Sequence, residues 1–271
     1  ITQAISLKHL SEPMKKLLIT GASGFLGWHL CQLAQPDWEV YGTYHTKPAT
    51  VSGATLLPID LTDSEAVRSL FQTLQPNAVI HAAAISSPNL CESEPARSHQ
   101  MNVIVSWELA ERCEDAQIPC VFTSSELVFD GLNPPYKESN PVCPINLYGE
   151  QKVAAEMGML DRCSNMLVCR MPLMFGVAPA SSFLQPFMAT LRSGQLLNLF
   201  IDEFRTPVSG RDAAAGILLM LKTLILNRRC GYIHLGGKER MSRYEFGCLL
   251  AEVLQLTNAN LNPCRQADVP M

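Results

Sequence analysis

Between residues 16 and 170, short apolar runs alternate with stretches in which apolar residues recur every three or four positions. The runs at 16–20, 38–43, 54–58, 77–81, 118–123 and 166–170 are short and mostly apolar throughout, the pattern of strands covered on both faces. Between them the spacing predicts helices. Val67, Leu70, Phe71 and Leu74 stand at i, i+3, i+4 and i+7, and Thr62-Asp63-Ser64-Glu65 ahead of them reads as a capping box. A longer helix is expected from about Arg97 to Cys113. Another resumes after Tyr148 with Val153, Ala154, Met157 and Leu160. Strand–helix alternation of this kind predicts an α/β fold, a doubly wound parallel sheet with right-handed crossovers.

The pattern changes after residue 170. Gly231 to Leu235 reads as a late strand. Ser242-Arg243-Tyr244-Glu245 is a second capping box, and the Phe246, Leu249, Leu250 and Val253 that follow form a core stripe. Three parts are therefore expected. Residues 1–13 precede Met14 and read as an N-terminal extension without a function. Residues 14–170 form a nucleotide-binding domain. Residues 171–271 form mainly a small substrate lobe, with elements returning to the sheet.

Composition narrows the class. A hydrophobic fraction of 47% suits a globular core, and a net charge of −4 gives no basic footprint for nucleic acid. The apolar stretch from Ala213 to Leu226 is interrupted by Lys222 and too short to span a bilayer, and no signal peptide is read, so no membrane partner is expected. The ten cysteines form no CxxC pair, and they read as reduced thiols of a cytoplasmic protein rather than a disulfide framework or zinc site.

Parallel sheets bind ligands at the carboxyl ends of their strands, so candidate chemistry is sought there. After the first strand, in LLITGASGFLG, Gly21, Gly24 and Gly27 recur at a spacing of three before a helix-compatible run. Strand, glycine turn and helix form a cradle for a pyrophosphate, with Ser23, Phe25 and Leu26 in the same turn. After the second strand no Asp or Glu stands where a ribose 2′-hydroxyl would be bound. His45 and Lys47 stand there instead, favouring the 2′-phosphate of NADP(H) over NAD(H). Asp60-Leu61 follows the third strand, and Ala82-Ala83-Ala84 follows the fourth, small enough for close approach of a ligand. His81 at that strand end reads as structural. The fifth strand leads into Ser124-Ser125-Glu126, and a Pro-rich loop leads to Tyr148 and Lys152, four apart and so on one helix face.

GASGFLG, DL at 60–61, HAAA at 81–84, the serine pair and YGEQK at 148–152 fall in one order that resembles the extended short-chain dehydrogenase/reductases. Within them, SSELVFDG and PINLYGEQKVAAE are similar to dTDP-4-dehydrorhamnose reductase and its relatives, whose corresponding segment typically reads STDYVFDG. The resemblance runs from Met14 nearly to the end. It implies a Rossmann-type fold and an NAD(P)H-dependent reductase of a nucleotide-linked keto-sugar. Tyr148 would be the acid, Lys152 would lower its pKa and hold the nicotinamide ribose, and Ser125 would bond the reacting oxygen. Ser124 is the alternative one position earlier, and Thr123 ends the strand. Three departures stand out: Ser125 for the usual Thr, Glu126 for Asp, and Leu127 for Tyr. Without an acidic pair after Ser125, dehydration is disfavoured. Glu126 and Arg205 are candidate substrate contacts, Arg205 for a diphosphate. A nucleotide-sugar epimerase is an alternative reading. So is a non-catalytic NADP-binding regulatory subunit like the β subunit of methionine adenosyltransferase. A homodimer is compatible with the resemblance, and so is Mg2+, which some relatives use, though no carboxylate cluster supports it here. Family members continue with a further helix, so a longer chain past Met271 is expected.

Overall fold

The computed structural model describes residues 14–47, 50–179 and 184–268. The expected extension at 1–13 lies outside them. The first half runs β1 (Lys16–Thr20), α1 (Phe25–Ala34), β2 (Glu39–Tyr44), β3 (Ala54–Pro58), α2 (Ser64–Leu74), β4 (Ala78–His81), α3 (Pro88–Ser93), α4 (Pro95–His99), a π-turn (Gln100–Ile104), α5 (Val105–Asp115), β5 (Cys120–Ser125), α6 (Leu147–Arg162) and β6 (Met166–Met171). The second half adds β7 (Met174–Phe175), α7 (Leu184–Ser193), β8 (Leu197–Phe200), β9 (Phe204–Arg205), β10 (Val208–Ser209), α8 (Gly210–Asn227), β11 (Gly231–His234), β12 (Met241–Ser242), α9 (Arg243–Val253) and β13 (Leu261–Cys264).

Seven strands form one parallel sheet in the order β11-β6-β5-β4-β1-β2-β3. Successive side chains on each strand point to opposite faces, and both faces are covered. Leu17, Ile19, Ile80, Val121 and Leu167 pack with residues of α1 and α8. Leu18, Val79, Phe122 and Val168 pack with residues of α2, α5 and α6. Each such side chain contributes roughly 1.5–3 kcal/mol on burial. The smaller strands pair as β7 with β10, β8 with β13, and β9 with β12 outside this sheet. The sheet order reverses between β1 and β4, which opens a crevice at their carboxyl ends.

Two local expectations are corrected. The cap of α2 is Asp63, whose carboxylate accepts from the Glu65 and Ala66 N–H groups; the Thr62 hydroxyl is taken up by Asp60, 2.7 Å away. The helix expected over 97–113 is built from α4, the π-turn and α5, with α3 ahead of it. Pro88 and Pro95 sit in first turns, where a missing N–H removes no helical bond. The π-turn turns Asn102 inward, where its amide donates to the Ile85 carbonyl and to Gln151 Oε1. The capping box at Ser242 and Glu245 forms in full.

All ten cysteines are free thiols. Among the described residues no helix is long and apolar enough to cross a membrane, and no three His, Cys, Asp or Glu side chains converge as a metal site.

Candidate active site

Where β1 ends, Gly21 takes φ +71°, a left-handed conformation that glycine adopts without strain. A methyl group on it would stand 2.8 Å from the Ala83 Cα, so β1 and β4 can close only over a glycine here. A methyl on Gly27 would overlap the Gly21 carbonyl, so α1 packs onto the turn only without one. Gly24 is the N-cap of α1. It supplies no side-chain cap, and the first turn carries no acidic residue. The leading N–H groups of α1 are therefore left to an anion, and the cradle fits a pyrophosphate.

A cleft of about 680 Å³ extends from this turn along the crevice. Gly21, Ser23, Gly24, Phe25, Leu26 and Gly27 line one end, with His45, Asp60, Leu61 and Ala82 to Ala84 along the side. Tyr148, Lys152, Thr123 and Ser124 line it from the fifth strand and α6. Lys47 is exposed and outside the lining. His45 Nε2 is 3.7 Å from the Asp60 carboxylate, so an imidazole and a carboxylate stand side by side on this wall. The Thr62 hydroxyl and N–H hold the Asp60 carboxyl below its ordinary range. Arg97, Gln100 and Met101 also line the cleft, and the sequence reading missed them. They lie on the helical segment after the fourth strand end, and that placement was the available signal.

The base of the crevice is set by Thr20. Its hydroxyl accepts from the Ala82 and Ala83 N–H groups at 3.1 and 3.2 Å and donates to His81 Nδ1 at 2.7 Å. That leaves His81 Nε2 to donate to Ser106 Oγ at 3.0 Å, and Ser106 to donate to the Asn102 carbonyl. Burial, with the Lys152 charge adding to it, pushes His81 down to about 3, so the ring is neutral and structural.

Tyr148 enters on the first turn of α6, whose N-cap Asn146 accepts from the Gly149 N–H, while Glu92 accepts from the Leu147 N–H. Gly149 lies against the Leu127 carbonyl, where no side chain would fit. The Ser125 hydroxyl faces the Tyr148 phenol, on which it acts to lower the pKa, and accepts from the Leu127 N–H at 3.1 Å. Lys152 is buried, donates to the Thr123 carbonyl at 3.0 Å, and lies 5.8 Å from the Tyr148 ring centroid. Burial raises the Tyr148 phenol above its ordinary value, more than Ser125 lowers it. This is opposite to the lowering by Lys152 that the resemblance implies, because the phenol is desolvated and the ammonium is turned to Thr123. Burial also lowers Lys152, to about 8, against the opposing charge of Glu156.

Glu126 and Arg205 meet each other outside the cleft lining. Arg205 Nε lies 3.2 Å from Glu126 Oε1 and Arg205 Nη2 lies 2.9 Å from Glu203, with Arg243 on the same Glu203 carboxylate. Burial pushes Glu126 up to about 7, outweighing the Arg205 guanidinium and the Leu173 N–H.

A glycine cradle and a Tyr–Lys helix on opposite sides of one crevice in a parallel sheet define the class of extended short-chain dehydrogenase/reductases. The chain belongs to the RmlD substrate binding domain family, whose model matches residues 14–271. It is 30% identical over 267 residues to methionine adenosyltransferase 2 subunit beta of Rattus norvegicus, covering 97% of this chain and 79% of that one. A hypothetical dTDP-4-dehydrorhamnose reductase from Sulfolobus tokodaii superposes with a TM-score of 0.82 at 29% identity, over 93% of this chain and 86% of that one. The dTDP-4-dehydrorhamnose reductase of Bacillus anthracis, in complex with NADP, has a TM-score of 0.83 at 21% identity over 94% and 86% of the two chains.

Proposed function

We propose that this protein is an NADP(H)-dependent reductase of a nucleotide-linked keto-sugar. The observation that carries the reading is the single cleft lined at one end by the Gly21–Gly27 turn and at the other by Tyr148 and Lys152, with the Ser125 hydroxyl on Tyr148. A bound nicotinamide would supply hydride to the substrate carbonyl carbon. Tyr148 is protonated at neutral pH, which suits an acid that gives its proton to the carbonyl oxygen. Ser125 orients the phenol and stabilises charge developing on that oxygen. Lys152, held on the Thr123 carbonyl one turn from Tyr148, would hold the nicotinamide ribose. His45 and Lys47 support the 2′-phosphate preference. The lobe after residue 171 would hold the sugar nucleotide, and Arg205 would reach its diphosphate only by leaving Glu126.

The test is loss of nicotinamide absorbance with NADPH and a panel of nucleotide-linked 4-keto-sugars. Turnover abolished by Y148F supports the reading; a folded, NADPH-binding protein with no turnover across the panel overturns it. The relation to the methionine adenosyltransferase subunit supports a second reading, a regulatory subunit that binds NADP(H) without using it. That reading expects co-purification with a catalytic partner. An epimerase would instead keep its cofactor through dialysis and show no net oxidation.

A further inference from the structure

Glu156 lies one turn beyond Lys152 on α6 and two beyond Tyr148, so the three share the face packed on the sheet. Its carboxylate side chain is 1% exposed and is gripped by Arg170 of β6, with Nε 3.0 Å from Oε1 and Nη2 2.7 Å from Oε2. Arg170 is itself fixed. Its guanidinium carbon lies 4.4 Å from the ring centroid of Tyr232 on β11 and 5.1 Å from that of Phe129 after β5. Its backbone is in register with Ser124 on β5 and His234 on β11.

A buried ion pair of this kind gives little net stability over an apolar pair of similar volume. It does place a fixed negative charge one turn behind a buried lysine. The groups that bear on Lys152 come from every element around it: Tyr148 and Glu156 from α6, Cys91 from α3, His81 from β4, and the Phe122 ring, 4.6 Å away, and the Thr123 carbonyl from β5. Tyr148 and Cys91 are held protonated and His81 neutral by burial. Among these, Glu156 is the group with a formal negative charge.

We infer that Glu156 and Arg170 are positioning residues for Tyr148 and Lys152: Arg170 locks the Glu156 carboxylate one turn behind Lys152, and that carboxylate keeps the buried ammonium charged through neutral pH. The inference rests on reading Tyr148 and Lys152 as the reacting pair, but its test reads Lys152 directly and needs no substrate. The protein is labelled with 13C-lysine, and the Lys152 signal is identified by its loss in K152M. In the unaltered protein the expected midpoint is near pH 8, lowered from the ordinary lysine value by burial. In the double variant E156M/R170M, which fills the same volume without charge, the midpoint falls by at least about one unit, a tenfold loss of proton affinity. E156Q, with Arg170 left unpaired, shifts it in the same direction. A folded double variant whose Lys152 titrates as before would overturn the inference, because a merely structural pair would leave that midpoint in place. So would a midpoint below about pH 7 in the unaltered protein, a measurement that needs no variant to fold. A protein that shows these titrations but binds no NADP(H) would sink the reductase reading and leave this inference standing.

Discussion

At the scale of single residues, the glycines of the first turn carry the sharpest expectation. G27A drives a methyl into the Gly21 carbonyl, and only a backbone shift relieves it. The expected cost is about 1–3 kcal/mol of stability, with NADP(H) affinity falling more than tenfold, read by urea unfolding and by fluorescence titration of the cofactor. His81 gives a prediction in pH. Its folded value is held near 3, against an ordinary 6.5, so the native state refuses a proton that the unfolded chain accepts. The stability due to the neutral ring is complete above pH 6.5 and is lost as pH falls, by about 1.4 kcal/mol per unit toward pH 3. Unfolding free energy measured against pH should therefore slope more steeply over that window in the unaltered protein than in H81N. Equal slopes would mean that the ring is not the group responsible. Gly21 and His81 were legible in the sequence because each stands at a strand end, where spacing alone fixes its neighbourhood. The pairing of Glu126 with Arg205 was not legible: the two come from distant segments, and only the packing of β9 beside the turn after β5 brings them together.

At the scale of elements, helix caps decide where the chain turns, and they were read unevenly. Ser242 and Glu245 form the reciprocal pair that their spacing announced. Thr62 did not cap α2, because two side chains competed and the carboxylate of Asp63 reached the free N–H groups while Asp60 engaged the threonine. S242A should cost about 1 kcal/mol, seen as a lower urea midpoint, since it leaves the Glu245 N–H without its partner. T62A should cost less than that, because its hydroxyl bonds the exposed Asp60 carboxylate on the cleft wall and caps no helix. The helix expected over 97–113 shows what periodicity cannot supply. Apolar spacing continues through the π-turn, but the extra residue there is recognised only from where Asn102 ends up, bonded to Ile85 and Gln151. Strand positions were read closely because an all-parallel sheet leaves unbroken apolar runs. The fifth strand runs two residues further than expected, through Ser124 and Ser125, since pairing with Arg170 and Met171 extends it into polar sequence.

At the scale of the whole molecule, the cleft joins α1, the segment after β4 and α6, so a ligand there is expected to tie the fold together. NADP(H) at one hundred times its dissociation constant should add about 2.7 kcal/mol, seen as a rise in melting temperature. The rise should exceed that given by NAD(H) at equal concentration. In the variant H45A/K47A the difference should shrink. An equal rise from both cofactors would overturn the 2′-phosphate preference.

The sheet order carries a consequence for how the protein is made. β11 lies at one edge, yet it is supplied by the segment at 231–234 and pairs with β6, which leaves the ribosome much earlier. Until that segment emerges, the nascent chain presents β6 as a free apolar edge, with Arg170 lacking its cover from Tyr232. Synthesis therefore passes through a sticky interval, in which slow translation or a premature stop before residue 231 favours aggregation and chaperone capture over a partly folded product.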